Sequence, residues 1–504
     1  MQPLLAVLFL CGLVACLIKF IRGRPPLFPP GPPRLPVYGG YLHLLAYNYR
    51  YTHKGLVAMA AKYKSPVLGM YVGSTPTIIT TDFASTRELL LKPEFQGRPD
   101  IFTVRLRSFN ELWGVLFTEG PLWAEQRRFS LRHLRDFGFG RRFDKMEAAT
   151  EEEVRTLLDS IRCPVAAEKG MVRDGEVLLP DLLYPGFINA TLQTLTGERV
   201  ARDRHDKLRG LSRAVRLFQR HLEPSGGAVN ITPWARHLLP DTLSATGLER
   251  ANQGVQDFVD ELLEREKLSF DENALRGFVD VFLAEMRKRP DSHFTDKQLA
   301  VMLADFLIPS STAVPITVAM ALAYLAQHPD KQDAAHLEID AVVGRGRLPT
   351  LDDRSSLPYT EAILREVLRL DTNTALSVTH KCTQDTFFRG YFVPKGTLLI
   401  PNIWAANRDP AVFEKGDEFG PERFLDSRTG TLKKKDPTMA FGLGKRLCPG
   451  ETFSRQTMFL YLSALLQNYS FAVSADGYLP SEEDMIPGFL VTPKSFWLRV
   501  AARP

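Results

Sequence analysis

Apolar and polar positions fall into two regimes along the chain. Residues 1–18 carry no charged side chain and are dominated by Leu, Val, Ala, Phe and Ile. At ~1.5 Å rise per residue such a run makes about 27 Å of helix, close to the thickness of bilayer hydrocarbon. No Lys or Arg precedes it, and Lys19, Arg22 and Arg24 follow it. A cleaved secretory signal carries its charge ahead of the core and ends in small residues, whereas positive charge behind the core holds that side in the cytoplasm. The pattern predicts a retained transmembrane signal-anchor over residues 1–21, with the rest of the chain facing the cytosol. It also predicts a basic, proline-rich linker over 22–40. Proline fixes φ and lacks an N–H, so 25–40 should be extended and stiff, a spacer between anchor and body.

From 41 to 504 the pattern is that of one folded body. Short apolar runs predict strands at 67–72 and 77–80. Helical periodicity then dominates, at 151–161, 254–268, 299–326 and 360–370. A second group of short strands falls within 386–400, punctuated by Gly390 and Pro394-Lys395-Gly396, and a last long helix covers 450–467. The expected architecture is mainly α with small β-sheets contributed by both ends of the body. No stretch after the first is expected to span a membrane.

Composition narrows the classes. Apolar residues make up 44% of the 504 and charged residues 24%, an ordinary folded composition. The net charge of +5 is small for this length, so nothing in it favours nucleic acid as a partner. Five cysteines without paired spacing give neither a disulfide framework nor a zinc cluster, which suits a reducing compartment.

One segment stands out: Phe441-Gly442-Leu443-Gly444-Lys445-Arg446-Leu447-Cys448-Pro449-Gly450. Glycines allow a tight turn and a close backbone approach. The N–H groups of that turn and of the helix start behind it can point at the sulfur and stabilise a thiolate. A thiolate so held can be the axial ligand of haem iron, and the competing reading is a buried free cysteine. The segment resembles the signature F-x-x-G-x-R-x-C-x-G of the cytochrome P-450 superfamily, matched at Phe441, Gly444, Arg446, Cys448 and Gly450.

Further segments fit the resemblance. Glu366-Val367-Leu368-Arg369 matches the E-x-x-R helix, and Pro421-Glu422-Arg423-Phe424 matches the P-E-R-F segment. The resemblance implies a buried structural cluster of Glu366, Arg369 and Arg423. Trp123 and Arg127 resemble the W-x-x-x-R helix, and spaced i, i+4 they share a face. With Arg446 and His380 they would hold the two propionates of haem b (iron protoporphyrin IX). The likeness extends over the whole chain, anchor included, and is strongest to insect microsomal members. It implies a monooxygenase of the endoplasmic reticulum membrane with a cytosolic catalytic domain. Electrons would come from NADPH through NADPH–cytochrome P-450 reductase, with cytochrome b5 as a second candidate donor.

The pattern breaks in the central helix. Where the family has A-G-x-(D/E)-T-T, this chain reads Pro309-Ser310-Ser311-Thr312-Ala313-Val314. In the family the acid and the alcohol help deliver protons, and general acid catalysis is worth roughly 10²–10⁴-fold. Three readings follow. Ser310, Ser311 or Thr312 holds a water, or a substrate hydroxyl relays the proton. Alternatively the protein is a haem-thiolate isomerase or dehydratase that does not use dioxygen, or a haem-containing protein that only binds lipid. Pro309 and Pro315 would each delete a helix hydrogen bond and free the carbonyls of Asp305 and Ser311 to order water.

The expected substrate is lipophilic and drawn from the bilayer: a terpenoid, steroid, fatty acid or xenobiotic. Phe102, Phe109, Phe117, Ile308, Ala313, Ala375, Val378, Phe489 and Leu490 are the expected pocket wall. Arg127, Arg128, Arg135, Arg141, Arg142 and Lys445 are the expected docking patch for the acidic reductase.

Overall fold

The computed structural model describes residues 21, 23–165, 168, 170–223, 227–290 and 292–504, so the expected anchor lies outside the described residues apart from Ile21. Helices dominate, and the sheets join distant parts of the chain. β1 (Val67–Val72) and β2 (Thr75–Thr80) form an antiparallel pair. β2 then runs parallel to β8 (Leu398–Pro401), which pairs antiparallel with β5 (His380–Lys381). A second sheet has the order β3 (Val172–Arg173), β4 (Glu176–Leu179), β10 (Phe496–Ala502), β9 (Tyr469–Val473). β6 (Thr386–Phe388) and β7 (Tyr391–Val393) make a separate hairpin. The strands at 172–179 and the two C-terminal strands were not expected from the sequence; they are only two to seven residues long, and Arg173, Glu176 and Arg499 interrupt their apolar pattern.

The proline-rich segment does not stand clear of the body as a spacer would. The Gly69 N–H donates to the Pro30 carbonyl (2.9 Å), and Gly39 bridges to Val72. This docking needs glycine on both sides, because a Cβ on Gly31 would collide with the Gly69 carbonyl oxygen.

Six helices position the site: α1 (Gly120–Leu134), α2 (His205–His221), α3 (Asp296–Ser310), α4 (Ala313–Gln327), α5 (Pro358–Leu370) and α6 (Glu451–Asn468). The single helix expected over 299–326 is two. Thr312 departs to φ −147°, ψ −69°, and the chain resumes helical bonding with Ile316 N–H on the Thr312 carbonyl (3.1 Å). Pro315 causes the break: it has no N–H for Ser311, and its ring crowds that carbonyl. Together α3 and α4 pass the length and hydropathy test for a membrane span (mean hydropathy 1.7), against the expectation of none; 83% of the apolar window is buried inside the body. They are its central core element.

Candidate functional site

The loop before α6 is shaped by its glycines. Gly442 and Gly444 have φ of 71° and 70°. A Cβ on Gly444 would also come within 2.8 Å of the Leu90 carbonyl oxygen, so the loop can pack there only without a side chain. The turn closes with the Cys448 N–H donating to the Phe441 carbonyl (2.9 Å), while the Phe441 ring lies under the Arg455 guanidinium (4.9 Å). Cys448 faces a cavity of about 270 Å³. Burial pushes its thiol up to about 11, opposed by the Gly450 N–H and by Arg127. Such a thiol is inert as a nucleophile at neutral pH, but a metal bound to the sulfur would displace its proton outright.

Behind the loop, the three expected structural residues meet. Glu366 and Arg369 are fully buried. Arg369 donates through Nε (2.7 Å) and Nη2 (2.9 Å) to the two Glu366 oxygens, and Arg423 Nε adds a bond to Oε1 (3.0 Å). Arg369 Nη1 reaches the Asn407 carbonyl (2.9 Å), and the Asn407 side chain accepts from the Met439 N–H (3.0 Å). The ion cluster on α5 thereby holds the start of the cysteine loop.

A knot of cations lines one edge of the same cavity. Arg446 donates to the carbonyls of Gln96 and Thr118 (both 2.9 Å) and lies 3.7 Å over the Trp123 ring. Arg127 donates through Nη2 to the Leu447 carbonyl (2.5 Å). His380 is buried, its Nδ1 2.7 Å from the Phe95 carbonyl, which leaves Nε2 for another partner. Sequence reasoning missed Arg98, a buried member of this knot bonded to the carbonyls of Leu116 (3.1 Å) and Thr379 (3.2 Å). A lone Arg between Gly97 and Pro99 carries no spacing signal. Burial, then the nearby Arg446 and Arg127, press Arg98 well below its ordinary value; burial and Arg127 bring Arg446 to about 9, and burial and Arg98 lower His380. The nearby carboxylate, Glu119, already takes the Lys381 ammonium and the Arg98 N–H. Trp123 Nε1 and Arg446 Nη1 are buried without hydrogen-bond partners among the described residues. An anionic group is the natural complement to this knot.

On the opposite wall, the residues expected to be catalytic are divided. Ser310 lines the cavity and donates to the Leu307 carbonyl (2.9 Å). Ser311 and Thr312 are not on its wall. Ser311 Oγ donates to the Leu307 carbonyl (2.7 Å), and Thr312 Oγ1 donates to the Ile308 carbonyl (3.1 Å) while accepting from Gln219 Nε2 on α2 (3.1 Å). The Ser311 carbonyl, expected to be free for water, accepts from Ser212 Oγ (3.0 Å). Of the expected pocket residues, Ile308, Ala313, Val378, Phe489 and Leu490 line the cavity; Phe102, Phe109, Phe117 and Ala375 do not. Two polar residues went unforeseen beside Ala313: Asn373 Nδ2 donates to the Ala313 carbonyl (3.3 Å) and to Thr317 Oγ1 (3.1 Å).

Haem fits these residues. Its two carboxylates match the surplus cations and the orphaned N–H groups, and its iron matches Cys448, the only cysteine on the cavity wall among the described residues. Bound there, haem supplies thiolate-ligated iron chemistry that favours O–O cleavage. Fold and site together define a haem-thiolate protein. A family model described as Cytochrome P450 matches residues 29–500. Farnesoate epoxidase of Bombyx mori is 30% identical over 98% of this chain and 97% of its own length. Cytochrome P450 2B4 of Oryctolagus cuniculus is 31% identical over 99% of each chain. Cytochrome P450 2U1 of Homo sapiens is 29% identical over 100% of this chain and 95% of its own. The chain belongs to the cytochrome P450 family: it is an oxidoreductase of the monooxygenase type, with haem as its prosthetic group and electrons from a reductase partner.

Proposed function

We propose that this enzyme inserts one oxygen atom from dioxygen into a long, lipophilic substrate taken from the membrane, using NADPH-derived electrons. The carrying observation is the cavity itself. It joins Cys448 to a wall of Ile308, Ala313, Val378, Phe489 and Leu490, which can hold an apolar chain and exclude water. Cys448 would hold the haem iron through its sulfur. Arg98, Arg127, Arg446, Trp123 and His380 hold the propionates, and Phe441 and Gly444 shape the loop. Glu366, Arg369 and Arg423 are structural. The name of the silkworm relative supports an isoprenoid acid or its derivative as one substrate class.

With Ser311 and Thr312 turned away, water is best held at Ser310 and at the Asn373–Thr317 pair. The hydroxyls there can order water that carries a proton along the wall, with no acid at the helix position where the family places one. The missing acid favours, as a second reading, a reaction on a substrate that already carries an O–O bond. Incubating the holoprotein with reductase, NADPH and isotopically labelled dioxygen separates the two: label in the product supports oxygenation, and turnover of a hydroperoxide without NADPH supports the second reading.

For membrane placement, we read Val37, Leu42, Trp234, Leu238 and Leu239 as immersed at the endoplasmic reticulum surface. Each is 44–72% exposed, and Tyr38 Oη and Thr232 Oγ1 hold the two segments together (3.2 Å). The reductase patch is narrower than the sequence suggested. Arg127 turns inward, Arg141 pairs with Asp136, and Arg142 pairs with Glu147 and Asp352. Arg128, Arg135 and Lys445 are exposed and make no ion pair among the described residues, leaving them to steer an acidic reductase or cytochrome b5.

A further inference from the structure

Arg107 is not accounted for by the main cavity. It is 5% exposed. Its Nη2 donates to Asp305 Oδ1, and the other Asp305 oxygen accepts from the N–H groups of Val115 (2.7 Å) and Leu116 (3.0 Å). Its Nη1 is buried and has no hydrogen-bond partner among the described residues. A buried donor left unpaired is costly, more so on a charged group. Arg107 is absent from the wall of the 270 Å³ cavity. It walls a chamber of about 40 Å³ with Phe117, Leu222, Glu223, Val378, Thr379 and Phe489. Val378 and Phe489 line both spaces, so the chamber lies against the main cavity with these two side chains between them. The Phe117 ring lies 5.2 Å from the guanidinium carbon, which fixes the plane of the fork.

We propose that this chamber is a substrate subsite in which Arg107 Nη1 donates a hydrogen bond to a neutral carbonyl oxygen, as in an ester or ketone. That oxygen terminates a long apolar molecule whose other end lies in the main cavity. The proposal rests on reading that cavity as a site for a lipophilic substrate. Charge selects the neutral head. Asp305 already neutralises the guanidinium at contact distance, so a carboxylate would bring an unbalanced charge into a chamber that already has Glu223 on its wall and Asp305 beside it. A carbonyl oxygen satisfies the N–H without that cost. The volume admits a small head group of a few heavy atoms, several times the minimum needed for a water. The same pair also ties the 107–116 loop to α3, so the head group would bind where the loop meets the central helix.

The test uses the full-length holoprotein and three probes of similar length: tridecane, methyl laurate and laurate. Affinity is read from the change in the haem Soret spectrum. Methyl laurate should bind about tenfold more tightly than tridecane, and more tightly than laurate. Arg107→Lys keeps a positive charge facing Asp305 but loses the second N–H fork. It should bring methyl laurate down to the affinity of tridecane measured on the same variant. Equal binding of ester and hydrocarbon, laurate as the tightest ligand, or an ester preference that survives Arg107→Lys would each overturn the subsite. Should that variant not fold, the ranking of the three probes on the unaltered protein decides alone. If tridecane and methyl laurate bind alike, only the subsite falls. If no probe perturbs the haem, the lipophilic cavity falls with it.

Discussion

The cysteine side of the cavity is held by a continuous run of charged and amide groups, from Glu366 through Arg369 and Asn407 to Met439. At the helix break in the opposite wall, past the Arg107–Asp305 pair, the chain is held by single pegs, Ser212 on the Ser311 carbonyl and Gln219 on Thr312. The first arrangement fixes a ligand in one position. The second mends a helix that two prolines have opened, and any hydroxyl or amide of the right reach could do that. The difference shows where this chain is constrained by charge and where it is free to vary.

The largest effect should come from the charged side. Arg369→Ala removes the bidentate partner of the fully buried Glu366 and leaves it only the Arg423 Nε and the Gly420 N–H on one oxygen, at a cost of about 3–5 kcal/mol. The expected result is a sharp loss of haem content and of thermal stability in the purified protein. Arg423→Ala should cost less, since the Arg423 side chain is 18% exposed and Glu366 keeps both bonds from Arg369.

Asp371 sharpens the comparison through pH. It follows α5 on the cavity wall, facing Tyr324, with Arg408 and Glu482 nearby. Burial pushes its carboxyl up to about 7, against the pull of Arg408 and the Tyr324 hydroxyl. A carboxyl that titrates higher when folded than when unfolded holds its proton longer in the folded state. Its contribution to stability is therefore complete below about pH 4 and is lost as pH rises through about 7. Urea unfolding of Asp371→Asn should lack this decline, and the two pH profiles should run parallel above it.

On the pegged side the effects should be smaller. Ser212→Ala strands the buried Ser311 carbonyl, which should cost about 1–3 kcal/mol in urea unfolding. Smallest of all should be Ser311→Ala: its hydroxyl is off the cavity wall, so product formed per NADPH consumed should stay within about twofold of the parent. Ser310→Ala, on the wall, should lower that ratio further. Equal effects from the two serines would remove the distinction between them.

The same contrast explains what could be read from the sequence. Cys448, Arg446 and the Glu366–Arg369 pair stand at fixed spacings because a turn, a helix face and a buried ion pair each dictate them. The long helices followed from their periodicity. Arg98 and the Arg107–Asp305 pair left no trace, since their partners are main-chain carbonyls and N–H groups or lie 198 residues away. The two prolines announced a disturbed helix, but not that Ser212 and Gln219, on a different helix, would take up its loose groups. Only tertiary packing brings α2 against that break.

The most direct test of the central claim is the carbon monoxide difference spectrum of the reduced, full-length protein. Sulfur ligation by Cys448 predicts a red-shifted Soret band that disappears in Cys448→Ser. A preparation that binds no haem under haem-replete expression, or a red-shifted band that persists in Cys448→Ser, would contradict it.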